Sequence, residues 1–130
     1  MTRMRATAVN DSDKLTQAGA ALRDDEAISG WAERFALLGD PNRLRLLFCL
    51  HRAPGICVSD LAQAVGMSDT AVSHALRLLR GRGWVRTQRD GRMIRYHLAD
   101  DTVHDLLHGV GATHPGEPGP ATPGEEETRR

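Results

Sequence analysis

The sequence of 130 residues contains little cysteine and no long apolar run. Its two cysteines, Cys49 and Cys57, are too few for a disulfide scaffold and fit a reducing compartment. Cys49 lies in the apolar run LRLLFCL and is expected to be buried and inert. No apolar segment reaches the roughly 18 residues that cross a membrane as a helix, and the N-terminal stretch MTRMRATAVNDSDK lacks the apolar core of a signal peptide. These absences predict a cytoplasmic protein that does not bind a membrane.

The sequence also lacks a net charge, but its charges are distributed unevenly. There are 17 basic and 17 acidic residues, and most of the acids lie towards the two ends. In residues 70–97, seven arginines accompany a single acid, Asp90. An excess of about six positive charges in so short a segment attracts a polyanion whatever its sequence. The arginines are Arg77, Arg80, Arg82, Arg86, Arg89, Arg92 and Arg95.

The chain length predicts one folded domain, over residues 26–112, with a less ordered segment at each end. Residues 1–25 are polar and weakly patterned, so we expect a flexible segment, in which KLTQAGAALR could form a short helix. Residues 113–130 are rich in Pro, Gly and Glu and cannot bury enough apolar surface to offset chain entropy. We therefore expect a disordered tail there.

Apolar residues at helical spacing predict the first four helices of this domain. The first helix ends at Gly39, and the second begins at Asp40 and Pro41, as an N-cap followed by proline at the first helical position. A third, short helix stops at Gly66, and Ser68 caps the fourth. The expected inward-facing residues are Ile28, Trp31, Phe35, Leu38, Leu44, Leu47, Phe48, Leu61, Ala64, Val65, Val72, Ala75, Leu76 and Leu79.

After these helices the apolar period changes from 3.6 to 2, which indicates a β-hairpin. The segments WVRTQR and RMIRYHL alternate, and Asp90-Gly91 between them favours a tight turn with positive φ at both central positions. A last helix is expected from about Asp100 to Gly109. A helix-turn-helix followed by a basic hairpin is a winged helix. The predicted fold is mainly α, with about five helices and a two-stranded wing.

Three segments of this domain resemble the signature blocks of the ArsR/SmtB family of metal-responsive winged-helix repressors. They are LGDPNRLRLL, CVSDLAQAVGMSDTAVSHALRLLR and RDGRMIRYHLAD, and the resemblance extends over about residues 28–108. It implies a homodimer that binds double-stranded operator DNA without metal and releases it when metal binds. A core of this size is also marginal alone, so burial of the first and last helices against a second copy would stabilise it.

The polar face of the fourth helix and the turn of the wing are predicted to contact DNA. Small hydroxyls and an imidazole allow close approach to base edges, and arginine can pair bidentately with guanine. Wing arginines beside a tight turn suit phosphate or the minor groove. The alternative is a polar helix face that is merely solvated. The predicted DNA-binding residues are Thr70, Ser73, His74 and Arg77 at bases, Ser68 at phosphate, and Arg89 and Arg92 on the wing.

A thiolate-rich metal site of the kind that relatives place on the first helix of the helix-turn-helix is not expected here. Cys57 matches a ligand position, but Ser59 stands where a second cysteine would be. Residues 1–30 contain neither cysteine nor histidine that could complete the set. One thiolate with Asp60 is a poor site for a soft metal or arsenite.

The last helix, where the resemblance implies a site that bridges the two protomers at the dimer interface, is the better candidate for a metal site, although it departs from the family pattern. Asp100 matches a family ligand, but Thr102 stands where the first histidine belongs. His104 and His108 share one helix face and can chelate one ion, with Asp100 or Asp101 as an oxygen ligand and His114 as a further ligand. Such nitrogen and oxygen donors suit zinc, nickel or cobalt as effector. A solvated polar face is the simpler alternative.

Two further histidines, His51 and His97, are expected to have no ligand role. His97 is predicted to face outward on the wing, and a charge on His51 would suit the end of its helix.

Three functions other than metal-responsive repression remain open. They are a repressor that senses thiol oxidation through Cys57 or has no direct ligand, a metal hydrolase using the HDLLH pair, and a protein-binding winged helix. The hydrolase lacks a general base of the H-E-x-x-H kind, and the arginine density disfavours the protein-binding module.

Overall fold

The computed structural model describes residues 11–116, which divide into two compact units between Gly39 and Asp40. Of the segments expected to be flexible or disordered, residues 1–10 and 117–130 lie outside the described residues. The first unit contains helix α1, Asp11–Ala20, and helix α2, Asp25–Leu38. Helix α2 begins where the Asp24 carboxylate accepts a hydrogen bond of 2.9 Å from the Ala27 N–H.

The apolar face predicted for α2 is largely exposed in the single chain. Ile28, Trp31 and Phe35 retain 42 %, 37 % and 58 % of their accessible surface, whereas Leu37 is buried. The Trp31 and Phe35 rings lie 5.7 Å apart, and the Arg34 guanidinium lies over Trp31 at 4.8 Å. Helical spacing therefore located the apolar face of α2 correctly, but the expectation that its side chains are buried is not met in the single chain.

The second unit is a winged helix. Its helices are α3, Pro41–Arg52; α4, Val58–Val65; α5, Asp69–Gly81; and α6, Asp101–Gly109, and its strands are β1, Val85–Asp90, and β2, Met93–Leu98. The predicted caps are present, since Asp40 accepts from the Arg43 N–H at 2.9 Å and Ser68 from the Ala71 N–H at 3.1 Å. Among residues 11–116, no helix combines the length and the apolarity that a membrane span requires.

The core of this unit lies between α3, α4, α5 and α6. Its fully buried side chains are Leu46, Leu47, Leu50, Leu61, Val72, Leu76, Leu79, Val103 and Leu107. Leu44, Phe48 and Ala64 were wrongly expected to face inward, because they line an open apolar groove between α3 and α4 instead. Cys49 is also only half-buried in that groove, although its burial raises the pKa of the thiol.

The wing is an antiparallel pair in which Val85 faces Leu98 and Asp90 faces Met93. Its turn consists of Gly91 and Arg92, and Gly91 has a φ of 63°. No described residue other than glycine has a positive φ, so the expectation of two positive φ angles was wrong. A single positive φ at the first central position is the requirement of a II′ turn. An isolated bridge between Ile56 and Tyr96 ties the loop after α3 to β2.

Candidate nucleic-acid interface and histidine cluster

Helix α5 places most of the predicted DNA-binding residues on one side of the unit. Thr70, His74 and Arg77 are exposed and Ser73 is half-buried, whereas Val72, Leu76 and Leu79 on the opposite arc are buried. The Ser68 hydroxyl accepts the cap bond from the Ala71 N–H, which leaves its own O–H group to donate. The buried arc fixes the helix in the unit and turns the polar arc towards solvent.

The wing adds a second basic surface. Arg89 and Arg92 are exposed at the turn, and Arg89 donates to the Gly91 carbonyl at 3.2 Å. Arg95 has a different role, because it donates to the Asp90 carboxylate at 2.9 Å and to the Gly55 carbonyl at 3.0 Å. It thereby neutralises the only acid of residues 70–97 and braces the wing against the loop after α3.

Four histidines gather where the end of α3 meets α6 and the segment that follows it. We call His51, His104, His108 and His114 the histidine cluster. The His51 ring centroid lies 4.3 Å from that of His114, 4.6 Å from that of His104 and 6.0 Å from that of His108. Among the described residues, one ligand nitrogen from each of His51, His108 and His114 lies within 4.8 Å of the others. Such a group of imidazoles is able to hold a metal ion.

His51 is the most buried member of the cluster, with 3 % of its surface exposed. Its Nδ1 lies 2.8 Å from the Thr113 carbonyl oxygen, so this nitrogen carries a hydrogen and donates it. Its Nε2 is buried and has no hydrogen-bond partner within residues 11–116. Burial lowers the pKa of His51, the Thr113 bond opposes this, and the neighbouring histidines lower it further. His51 lies in the last turn of α3 as expected, and the lowered pKa disfavours the charge that was expected there.

The other predicted metal residues are placed differently. His104 and His114 lie with ring centroids 5.1 Å apart, and those of His108 and His114 are 5.2 Å apart. Asp100 caps α6, where its carboxylate accepts a 2.9 Å bond from the Val103 N–H. The carboxylate of Asp100 is outside the group of ligand atoms that lie within 4.8 Å. The structure thus brings the three predicted histidines together with His51, and it gives Asp100 a capping role.

His97 lines one small cavity of about 210 Å³ together with Arg86 of the wing and three members of the cluster, His51, His104 and His114. The Nε2 of His97 is buried without a hydrogen-bond partner among the described residues. Burial and the charges of Arg86 and Arg95 lower the pKa of His97. The expectation that His97 faces outward was wrong, because β2 is covered on this side by the loop that contains Gly55, which approaches the imidazole.

The two thiols do not form a comparable site. Cys57 is 8 % exposed, and its Sγ lies 3.4 Å from the Ser59 hydroxyl. It lines an open pocket beside the wing with Tyr96, whereas Cys49 lines the groove between α3 and α4. A thiolate-based site has no support in this arrangement.

Comparison with known proteins decides the family. A sequence profile described as a bacterial regulatory protein of the arsR family matches residues 40–87. The HTH-type transcriptional regulator NmtR of Mycobacterium tuberculosis is 44 % identical over 88 residues, which are 68 % of this chain and 72 % of NmtR. The chain belongs to the ArsR family. This ArsR-family chain is therefore a DNA-binding transcriptional regulator and not an enzyme, which removes the metal-hydrolase alternative.

Further relatives agree with this assignment. A transcriptional repressor SmtB homolog of Synechocystis is 48 % identical over 79 residues, covering 61 % of this chain and 59 % of that protein. The solved homodimeric winged helix-turn-helix domain Mb0332 of Mycobacterium bovis, described as a possible ArsR-family regulator, is 28 % identical. It has a TM-score of 0.58 and covers 68 % of this chain and 82 % of that chain. The winged-helix fold predicted from the sequence is confirmed.

Sequence reasoning missed His51, although a signal for it was present. His51 follows Leu47 by four residues and Leu50 by one, so it continues the buried stripe of α3. A histidine on a buried helical stripe needs a polar partner. This requirement favours a hydrogen-bonded or ligand-binding role for His51 over a solvated charge at the helix end. Its partners come from residues more than fifty positions later, where no local pattern connects them to α3.

Proposed function

We propose that this ArsR-family protein is a homodimeric repressor that binds operator DNA and releases it when a divalent transition metal binds. The polar arc of α5 would enter the major groove, with Thr70, Ser73, His74 and Arg77 at base edges and Ser68 at a phosphate. Arg89 and Arg92 would contact phosphate or the minor groove from the wing. This proposal follows from the exposure of these side chains beside a run of arginines.

The homodimer follows from exposed apolar surface on α2 and from the two-fold symmetry of operator recognition. Ile28, Trp31 and Phe35 leave an apolar face that a second copy would cover. Two copies would place two α5 helices about 34 Å apart, one DNA turn, so that they read successive major grooves. The homodimeric state of the similar Mycobacterium bovis domain supports this arrangement.

The metal response rests on one observation, the gathering of imidazoles around α6. His104, His108 and His114 would hold the ion, and Asp100 is retained as an oxygen ligand only if its cap bond is given up. When bound, zinc, nickel or cobalt would supply a positive charge that fixes these side chains together. Regulation then requires tighter metal binding to the DNA-free form, with a coupling of typically about 1–3 kcal/mol.

Operator binding measured against a panel of zinc, nickel, cobalt, cadmium and arsenite tests this function. We expect one or more of the first three to weaken operator binding and arsenite to have no effect, because the cluster offers imidazoles rather than thiolates. The double variant His104→Ala/His108→Ala should bind operator normally without metal and lose the response. Unchanged metal stoichiometry and affinity in that variant would remove the last helix from the proposed site.

A further inference from the structure

We infer that His51 is itself a metal ligand and that it forms, with His108 and His114, a three-imidazole site within one protomer, beside which the His104 ring packs. This inference rests on the proposed metal response and deepens it by assigning the ligands. A site built on α6 across a dimer interface would need residues from two chains. Here, the end of α3 supplies the ligand that α6 lacks at Thr102.

The first argument is the state of the His51 ring. Its Nδ1–H is committed to the Thr113 carbonyl, so Nε2 is the ring nitrogen that remains to offer a lone pair to a metal ion. That nitrogen is buried and without a hydrogen-bond partner in the described chain, a costly arrangement unless something binds it. Histidine ligands almost always donate the second ring nitrogen to a carbonyl or carboxylate, which fixes the tautomer and the ring. His51 has this arrangement.

The second argument is the position of the neighbouring imidazoles. Ligand atoms of His51, His108 and His114 lie within 4.8 Å of one another, and the His104 ring packs against two of these rings. Nitrogen ligands lie about 2.0–2.1 Å from zinc, so small side-chain rotations would bring these atoms into range. Burial decreases from His51, which is buried, through His114, which is half-buried, to His108, which is exposed. A metal ion would therefore enter the site from the side of α6.

The third argument is that the segment after α6 is already held against α3. Arg52 donates to the Thr113 hydroxyl at 2.6 Å, beside the His51 bond to the Thr113 carbonyl. Gly111, with a φ of 107°, allows the chain to turn back after the helix, and Ala112 is buried behind it. His114 is thereby delivered to His51 of the same chain, and no residue of a second copy is needed.

Cobalt titration of the full-length protein, followed by visible absorption, tests the role of His51. The variant His51→Asn keeps a side-chain N–H near the Nδ1 position for Thr113 and removes only the Nε2 ligand. Changes to groups around a metal ligand cost about 10–100-fold in affinity, so loss of a ligand should weaken cobalt binding by at least about 100-fold and alter the absorption bands. The matched control is His97→Asn, which alters the same cavity outside the ligand group and should bind cobalt as the natural chain does.

A mixed-dimer experiment tests whether the site lies within one protomer. Chains carrying His51→Asn are mixed with chains carrying His108→Ala under conditions that exchange subunits. If each site lies within one protomer, no dimer in the mixture contains an intact site and tight cobalt binding stays absent. Recovery of one tight site in each mixed dimer would show ligands shared between chains and would overturn the proposal.

The outcomes separate this inference from the proposed function. If the natural chain binds cobalt tightly and His51→Asn does not, but cobalt leaves operator binding unchanged, the ligand assignment stands and the regulatory function fails. If His51→Asn keeps the natural affinity and spectrum while His108→Ala loses them, His51 is not a ligand and the regulatory function survives. Absence of cobalt, nickel and zinc binding to the natural chain would overturn both. Thermal unfolding of metal-free His51→Asn shows whether the variant is folded.

Discussion

Arg77 and Arg92 are both exposed arginines, but they occupy different kinds of position. Arg77 projects from a helix whose opposite arc is buried, so its location on the unit is fixed. Arg92 lies at the second position of the wing turn, where the neighbouring residues are all exposed. A fixed guanidinium can select a base edge, whereas one on a turn contributes charge with less geometric selection.

Arg77→Ala should lower operator affinity and sequence preference together. A bidentate contact to guanine contributes about 1–3 kcal/mol of discrimination between bases. The variant loses this base-specific share of the binding free energy only on the operator. Fluorescence anisotropy with operator and scrambled duplexes measures both affinities. An equal loss on the two duplexes would contradict a base-reading role for Arg77.

Arg92→Ala should weaken binding to both duplexes by a similar factor. It should also reduce the slope of log affinity against log salt by about one, since one phosphate contact is removed. The measurement is the same titration repeated across salt concentrations. Arg23→Ala, a charge change outside the arginine-rich segment, serves as the control and should leave the slope unchanged.

His97 makes folding stability depend on pH. Its pKa in the folded chain lies below the ordinary value of 6.5, because burial, Arg86 and Arg95 disfavour its charged form. As pH falls, the unfolded chain therefore binds a proton at His97 before the folded chain does. The contribution of the neutral ring to the free energy of unfolding is fully present above the ordinary pKa. This contribution is lost progressively as pH falls from the ordinary pKa through the lowered pKa of the folded chain. Urea unfolding with a chelator at several pH values should show a smaller loss on acidification for His97→Gln, and an unchanged pH dependence would contradict this reading.

At the level of elements, the sequence predicts starts and stops better than facing. Asp40 and Ser68 cap their helices as expected, and α4 ends at Gly66, because caps and stops depend on residues within one turn. Leu44 and Phe48 of α3 were wrongly expected to face inward, because the groove that they line depends on how α3 packs against α4. The sequence therefore predicts where a helix begins and ends, whereas the burial of its side chains also depends on residues distant in sequence.

The same distinction holds for the histidine cluster. The shared face of His104 and His108 follows from their spacing on one helix, and both rings approach the other members of the cluster as the helical wheel indicates. His51 was missed because its bond to Thr113 joins residues 62 positions apart. Periodicity contains no information about such a contact.

The wing turn gives a prediction at the level of an element. Gly91→Ala should lower the free energy of unfolding by about 1–2 kcal/mol, because a side chain disfavours the positive φ of this position. Gly81→Ala is the matched control, since Gly81 ends α5 with open space around it and no positive φ. Chemical denaturation of the two variants compares them, and equal stability losses would show that the turn geometry is not the cause.

For the whole molecule, dimer formation determines whether two recognition helices act together. Phe35 retains 58 % of its surface in the single chain, and a charge at this position would oppose burial against a second copy. Phe35→Glu should therefore shift the protein towards monomer in sedimentation velocity and weaken operator binding more than half-site binding. Ser29→Glu places the same charge on another side of α2 and should leave the dimer intact. A dimeric Phe35→Glu protein would exclude this face from the interface.

The bridge between Ile56 and Tyr96 links the metal and DNA surfaces in a way that amide hydrogen exchange can follow. The Gly55 N–H donates to the Tyr96 carbonyl at 2.9 Å, and the Tyr96 N–H donates to the Ile56 carbonyl at 3.0 Å. These two protons exchange with solvent only when the base of the wing opens locally from the loop that follows His51. Their exchange rates therefore measure the free energy of that opening. A change in those rates on metal binding would show how far the wing responds to an event four residues away in sequence.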